Sequence, residues 1–487
     1  MEHQISSESN LISPFLLVSA TGIGVFMSAL DSSIVNISLF SIASFFGVNQ
    51  IAVQWVVLSY LLTITAVMTI AGNLGDKFGT KRVFQTGMGL FVVGSVLCSI
   101  SPQIEFLVIS RAIQALGATG VMANGIAIVT RFTDRNTRGT AIGYNSLVVA
   151  AAITTGPMLG GFLTEFLGWQ SIFWINIPIG LVGILYVQKV IPPTPPTNLN
   201  KSIDKVGAFF FSLAITTFVV SLTLLENETI PSPVLVAISG VVVSFAAFIA
   251  FLRWEDNHDN PIVHLDLLRN RTFLFGVLSA VIAYGILYVF LFQLPFFLQV
   301  VMELTPSETG VWMLGIPAMM ALVGPISGRL SDSYDPKYIS TFGLVSIGVV
   351  TLIFSFLVSD SMPLVLVGAV GLSFGFSIGM FTSPNSNSIM SSVPKKYLGV
   401  AGGLVGLARN VGFSLGIAYS TTTLAVFQGI FMDLNGGELV DAINYVPAFR
   451  LLLGTTTLVS LVAILLSYFR GGQYQSYKKE KRSPSAN

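Results

Sequence analysis

The chain is a succession of long apolar runs separated by short polar segments. A helix needs about 20 apolar residues to cross a hydrocarbon layer about 30 Å thick. Fourteen runs meet that length, at residues 12–38, 51–71, 83–101, 105–129, 139–164, 171–190, 206–225, 232–252, 273–299, 308–329, 338–358, 362–390, 398–428 and 449–469. The pattern predicts an all-α integral membrane protein of 14 transmembrane helices. No basic leader precedes the first run, which reads as a retained anchor rather than a cleaved signal peptide.

Charge tests that count independently, because cytoplasmic loops of membrane proteins collect Lys and Arg. Of 24 Lys and Arg, 21 fall in the loops after even-numbered spans or in the tail after span 14, and none in the loops after odd-numbered spans. The three left over are Arg111, Arg409 and Arg450, inside or at the start of spans. A wrong helix count would scramble this alternation, so both termini are expected in the cytoplasm. Only 10% of the chain is charged, against about 25% for soluble globular proteins. That excludes a soluble enzyme and a disordered chain. A net charge of +1 supplies no field for polyanions, and no nucleic-acid partner is expected. Cys98 is the single cysteine, and His3, His258 and His264 lie in polar stretches, so neither a disulfide, a metal cluster nor a buried haem is expected.

A repeat organises the spans. Gly72-Asn-Leu-Gly-Asp76-Lys-Phe-Gly79-Thr-Lys81-Arg82 follows span 2, and Gly328-Arg-Leu-Ser-Asp332 follows span 10, with Lys337 downstream. Both read G-x-L-x-D. The offset of 256 residues is eight spans, not six, so two spans are inserted between six-helix halves. The expected organisation is an N-terminal half at 1–190, a Pro-rich linker at 191–205 and two inserted helices at 206–252. A cytoplasmic loop at 253–272, a C-terminal half at 273–470 and a tail at 471–487 complete it. Gly permits a tight turn at such a loop, and Asp can pair with nearby bases. A plain snorkelling loop is the alternative.

With these motifs in place, the chain resembles the major facilitator superfamily, and within it the fourteen-span drug:proton antiporters. Leu30-Asp31-Ser-Ser-Ile-Val-Asn36 in span 1 is similar to the family's L-D-x-T-I-V-N. Arg111-Ala-Ile-Gln114-Ala-Leu-Gly117 in span 4 is similar to R-x-x-Q-G, with Ala115 where Gly is usual. Gly156-Pro157-Met-Leu-Gly160-Gly161 in span 5 looks like the antiporter signature G-P-x-x-G-G. Trp169 through Gly180 resembles the family's approach to span 6, with Gln170 in place of Arg. The resemblance implies that Gly72, Asp76, Gly79, Lys81, Arg82, Gly328 and Asp332 form a conformational gate, and that Gly156, Pro157, Gly160 and Gly161 form a stiff hinge that resists proton leak. An ordinary proline kink is the alternative for the hinge.

Charges inside a membrane cost about 2.5–3.5 kcal/mol each on insertion scales, so they mark function first. The deep ones are Asp31, Arg111 and Arg409, with Glu165 at an outer end. At about 1.5 Å per residue Asp31 and Arg111 reach similar depths, which predicts that they are neighbours. The pair is either a static tie between helices or a proton switch. Arg409, among the glycines of span 13, either ties helices together or faces a cavity. Candidates for the cavity wall are Gln54, Trp55, Tyr60, Asn124, Tyr144, Asn145, Tyr284, Tyr288, Gln293, Phe296, Trp312, Asn385, Asn387 and Arg409.

The expected function is proton-driven efflux of small amphipathic compounds by alternating access, in the cell membrane of a bacterium. The partners are that substrate, protons and the lipid bilayer; the proton gradient is the energy source and no cofactor is called for. Nothing in the sequence specifies an accessory subunit. The alternative is a transporter of one metabolite, lipid or antibiotic on the same fold. A non-transporting receptor would need a larger soluble surface. An enzyme would need a nucleotide loop, metal cluster or nucleophile–base set, and none is present.

Overall fold

The computed structural model describes residues 13–133, 138–196, 204–226, 232–258, 264–394, 397–435 and 442–471. Each predicted run is a helix long and apolar enough to cross a membrane. They are α1 (Pro14–Phe46), α2 (Trp55–Phe78), α3 (Thr80–Ser99), α4 (Ile104–Phe132), α5 (Arg138–Leu167), α6 (Asn176–Val190), α7 (Lys205–Thr223) and α8 (Pro233–Asp256). Then follow α9 (Arg271–Phe296), α10 (Pro306–Ser333), α11 (Pro336–Leu357), α12 (Leu364–Ser391), α13 (Leu398–Asn435) and α14 (Ala442–Phe469). Several helices outrun their apolar stretches: α1 continues to Phe46, and α9 runs on into a π-helical turn, Phe297–Val301. An apolar run marks only the part of a helix that meets hydrocarbon. The backbone goes on satisfying itself beyond it.

Helices α1 to α6 pack on one another, and so do α9 to α14. Helix α7 touches both α2 and α13, and α8 packs on α7. Most of α8 stays uncovered by protein, with Leu235, Val242 and Phe245 exposed, as suits a helix that meets lipid on several faces. Small residues allow the closest crossings. A Cβ at Gly416 of α13 would collide with the Gly285 carbonyl of α9.

An even number of crossings returns the chain to its starting side, and Thr272 at the start of α9 donates to the Gly471 carbonyl beyond α14 at 3.3 Å. Lys81, Arg82, Arg131, Arg253, Arg269 and Lys337 all lie at this same end. We call it the basic end.

Two buried bases fasten the helices there. Lys81 Nζ donates to the Gln188 and Ile191 carbonyls at 3.1 and 2.5 Å, satisfying orphan acceptors where α6 ends. Arg470, directly after α14, donates to Asn385 Oδ1 at 2.6 Å, to the Pro336 carbonyl at 3.0 Å and to Ser340 Oγ. It thereby joins α11, α12 and α14. Arg470→Ala is expected to cost about 3 kcal/mol, since hydrogen bonds to charged groups are the strong ones. It should lower the apparent melting temperature of the detergent-purified protein by several degrees, read from Trp fluorescence. An unchanged melting curve would show that the three acceptors are equally well served by water.

Candidate functional site

The deepest polar cluster grows from helix α1. Asp31 is fully buried and Arg111 is 1% exposed. Arg111 Nη1 donates to Asp31 Oδ2 at 2.5 Å. Asp31 Oδ1 accepts from Gln114 Nε2 at 2.9 Å and from Asn176 Nδ2 at 3.1 Å. The guanidinium also donates through Nε to the Val56 carbonyl at 3.0 Å and through Nη1 to Gln114 Oε1 at 2.5 Å. The Tyr60 ring lies 4.2 Å from its carbon, a cation–π contact. Ser95 Oγ accepts from Gln114 Nε2 at 2.9 Å. The carboxylate is thus held by three donors from α4 and α6. The depth arithmetic that paired spans 1 and 4 agrees with this geometry.

The other face of α1 borders a central cavity of about 240 Å³. At about 100° per residue, Ser32, Ser33 and Asn36 point away from Asp31, and these line the cavity. Across from them stand Tyr284 and Tyr288 of α9 and Arg409, Asn410 and Phe413 of α13. Phe413 lies against Tyr288 with ring centroids 4.0 Å apart, and edge-on to Tyr284 at 5.7 Å.

Beyond the cavity, at the end opposite the basic one, the two helix groups are sealed. Gln50 Nε2 donates to Gln293 Oε1 at 2.7 Å, and Thr421 Oγ1 to Gln54 Oε1 at 2.5 Å. Gln299 Nε2 donates to the Ile37 carbonyl at 3.0 Å, and the Ser307 amide to Glu165 Oε2 at 3.0 Å. Gly161 of α5 is pressed on the Pro306 carbonyl, and Gly310 of α10 on the Pro157 carbonyl. These contacts join the two helix groups at that end.

Of the residues expected on the cavity wall, Tyr284, Tyr288 and Arg409 line it. The rest are corrected to other places. Gln54 and Gln293 belong to the seal. Phe296 packs edge-on against Phe40 across the two groups, and Trp55 packs on the main core. Tyr60 supports Arg111. Asn124 donates to the Ala71 and Gly120 carbonyls, joining α2 to α4. Asn145 is buried in α5, and Trp312 packs against Gly368. Asn385 serves Arg470, and Asn387 donates to Ser331 Oγ. Tyr144 is 47% exposed and borders a separate apolar groove with Phe15, Val18 and Leu147. The shared reason is that polar side chains in a bundle find partners wherever helices cross, not only at a cavity.

The loop residues divide similarly. Gly79 has φ +93° and abuts the Thr194 carbonyl, a place only Gly fills without strain. Lys81 N donates to Thr194 Oγ1 at 2.8 Å, so this loop holds the start of the linker. Asp76 is half-buried, while Arg82 and Asp332 are exposed. Gly328 lies against Ser383 of α12. In the G-P-x-x-G-G segment, Gly156 and Gly160 press on Ser33 and Ile34 of α1, while Gly161 and the Pro157 carbonyl face α10. Sequence reasoning left Gln114, Asn176 and Asn36 out of the site. Gln114 was legible, because it follows Arg111 by three residues on one helix face. Among the described residues no group of three or more His, Cys, Asp or Glu could hold a metal ion.

Two six-helix groups with two further helices beside them, sealed at one end around a central cavity, have the architecture of a membrane transporter. The Major Facilitator Superfamily model matches residues 21–417, and the chain belongs to that superfamily. Riboflavin transporter RibZ of Clostridioides difficile (strain 630) is 36% identical over 405 residues, 83% of this chain and 86% of that protein. Multidrug resistance protein Stp of Mycobacterium tuberculosis (strain CDC 1551 / Oshkosh) is 31% identical over 424 residues, 86% and 77% of the two chains. Multidrug export protein EmrB of Haemophilus influenzae is 28% identical, covering 83% and 79%. Among solved structures, a bacterial homolog of the human lysosomal transporter Spinster, inward-facing and unoccupied, superposes with a TM-score of 0.70 at 14% identity, covering 97% of this chain and 99% of that one.

Proposed function

We propose that the protein is a proton-coupled exporter of small amphipathic compounds, working by alternating access in a bacterial cell membrane. The basic end and both chain ends then face the cytoplasm, and the seal between Gln50 and Gln293 lies on the outer side. The observation that carries this reading is the Asp31–Arg111 pair, buried on the face of α1 opposite the cavity.

Protonating Asp31 removes the charge that offsets Arg111, and an uncompensated buried cation costs several kcal/mol. The pair cannot stay closed at that cost, so α1 and α4 shift or water enters. Helix α1 carries one cavity wall on its other face, and through Gly156 and Gly160 it packs on α5, which meets α10. Proton and substrate therefore need not touch: each biases the position of α1, and by linkage each changes the other's affinity equally. Stp and EmrB, whose names are of multidrug proteins, support export of varied compounds. A second reading is transport of a flavin, as the name of RibZ suggests for that protein. The aromatic wall of Tyr284, Tyr288 and Phe413 favours it, because such rings stack on a planar heterocycle.

The test is reconstitution in proteoliposomes holding a pH dye. Adding a transported compound to wild-type protein should move protons against it. Riboflavin moving protons while a panel of amphipathic drugs does not would select the second reading. Compound transport with no proton movement under any condition would remove the coupling.

A further inference from the structure

The cavity has a sign. Its lining includes one charged side chain, Arg409, and no Asp or Glu. Arg409 is partly exposed and has no ion-pair or hydrogen-bond partner among the described residues. The neighbouring base, Arg111, is already neutralised by Asp31 on the far face of α1. The net field inside the cavity is therefore positive. On the facing wall, Asn36 is 4% exposed, and its Oδ1 accepts no hydrogen bond. Tyr288 and Phe413 stand beside Arg409, one turn from it along α13 in the case of Phe413.

A ligand that fits these groups has three features. It offers an aromatic face to Tyr288 and Phe413, an anionic group to the guanidinium, and a donor to Asn36 Oδ1. Resting on the reading of this cavity as the transport site, we infer that its preferred substrates are planar aromatic anions bearing a hydrogen-bond donor, and that Arg409 sets this preference. A cation in the same place would meet Arg409 with no acid to offset it. Guanidinium–carboxylate pairs are bidentate and gain strength away from water, so the discrimination is large. Coupling to protons through α1 does not require the substrate to be positive, because Asp31 does not border the cavity.

Hydroxynaphthoate, its amide and its amidine share one shape and differ in charge. Binding of each to the detergent-purified full chain is followed by quenching of naphthalene fluorescence. The anion should bind about tenfold or more tighter than the amidine, with the amide between them. Arg409→Gln should erase that order, and Arg409→Lys, which keeps the charge but not the fork, should retain part of it. The amidine binding as tightly as the anion would overturn the inference and leave proton-coupled export standing. So would an unchanged order in both well-folded variants. If instead no compound of any charge is carried into or out of vesicles, the transport reading falls, and this inference with it.

Discussion

Asp31→Asn is expected to abolish proton-driven transport and to hold ligand affinity at the value of one protonation state, so that binding no longer changes with pH. Asparagine keeps the size and part of the hydrogen bonding to Gln114 and Asn176 but cannot titrate. Removing one partner of a buried ion pair costs about 3–5 kcal/mol. Arg111 retains the Val56 carbonyl, Gln114 and the Tyr60 ring, which moderates the loss. Transport should fall by about two orders of magnitude or more, the equivalent of about 3 kcal/mol. The cavity face of α1, with Ser32, Ser33 and Asn36, is untouched. A second variant separates a switch from a static tie. Neutralising both partners, Asp31→Asn with Arg111→Gln, removes the uncompensated cation and should restore much of the thermal stability. A static tie would then recover transport as well; a proton switch would not. Vesicle proton flux and melting curves measured on the same preparations decide between them.

Gly161→Val is expected to hold the sealed end open. A Cβ there would collide with the Pro306 carbonyl, and one at Gly310 with the Pro157 carbonyl. Neither neighbour is a flexible side-chain tip, so backbone must move. Overpacking of this kind costs about 1–3 kcal/mol. The clash exists only while α5 and α10 are in contact, so the cost falls on one access state. A two-state equilibrium would shift by about tenfold for each 1.4 kcal/mol. Cysteines at Gln50 and Gln293, whose side-chain tips meet across the seal at 2.7 Å, should be bridged by a short bifunctional thiol reagent in otherwise wild-type protein and poorly with Gly161→Val or Gly310→Val. Gly156→Val is the contrast. Its Cβ would strike Ser33 within the first helix group, so it should lower stability in both states and leave the cross-linking ratio unchanged. Equal cross-linking in all variants would show that α5 and α10 do not part at this end.

How far the site was legible depends on what each residue interacts with. The pairing of Asp31 with Arg111 needed only depth along two helices, because opposite charges at one depth in hydrocarbon gain most by meeting. The division of labour within Gly156-Pro157-Met-Leu-Gly160-Gly161 needed the structure, because two helices share one segment from opposite sides. Polar and aromatic candidates for the cavity wall mostly stand elsewhere. Gln54 and Gln293 have the side chains of a binding site and are used as a seal. A soluble helix betrays its buried face by an apolar stripe, but a membrane helix is apolar on nearly every side, so no stripe tells a cavity wall from a contact.

The sequence alone determined the number of crossings, the side on which the bases lie and the insertion of α7 and α8, because hydrocarbon thickness and the cost of moving Lys or Arg through it act on each segment separately. Tertiary structure decided which groups share a surface: that Arg409 borders the cavity with no ion-pair partner among the described residues, that Arg470 joins three helices, and that the two helix groups are sealed at the end opposite the basic one. Those outcomes depend on helix rotation and on helices far apart in the chain, which are set by packing among small residues and not by any local pattern.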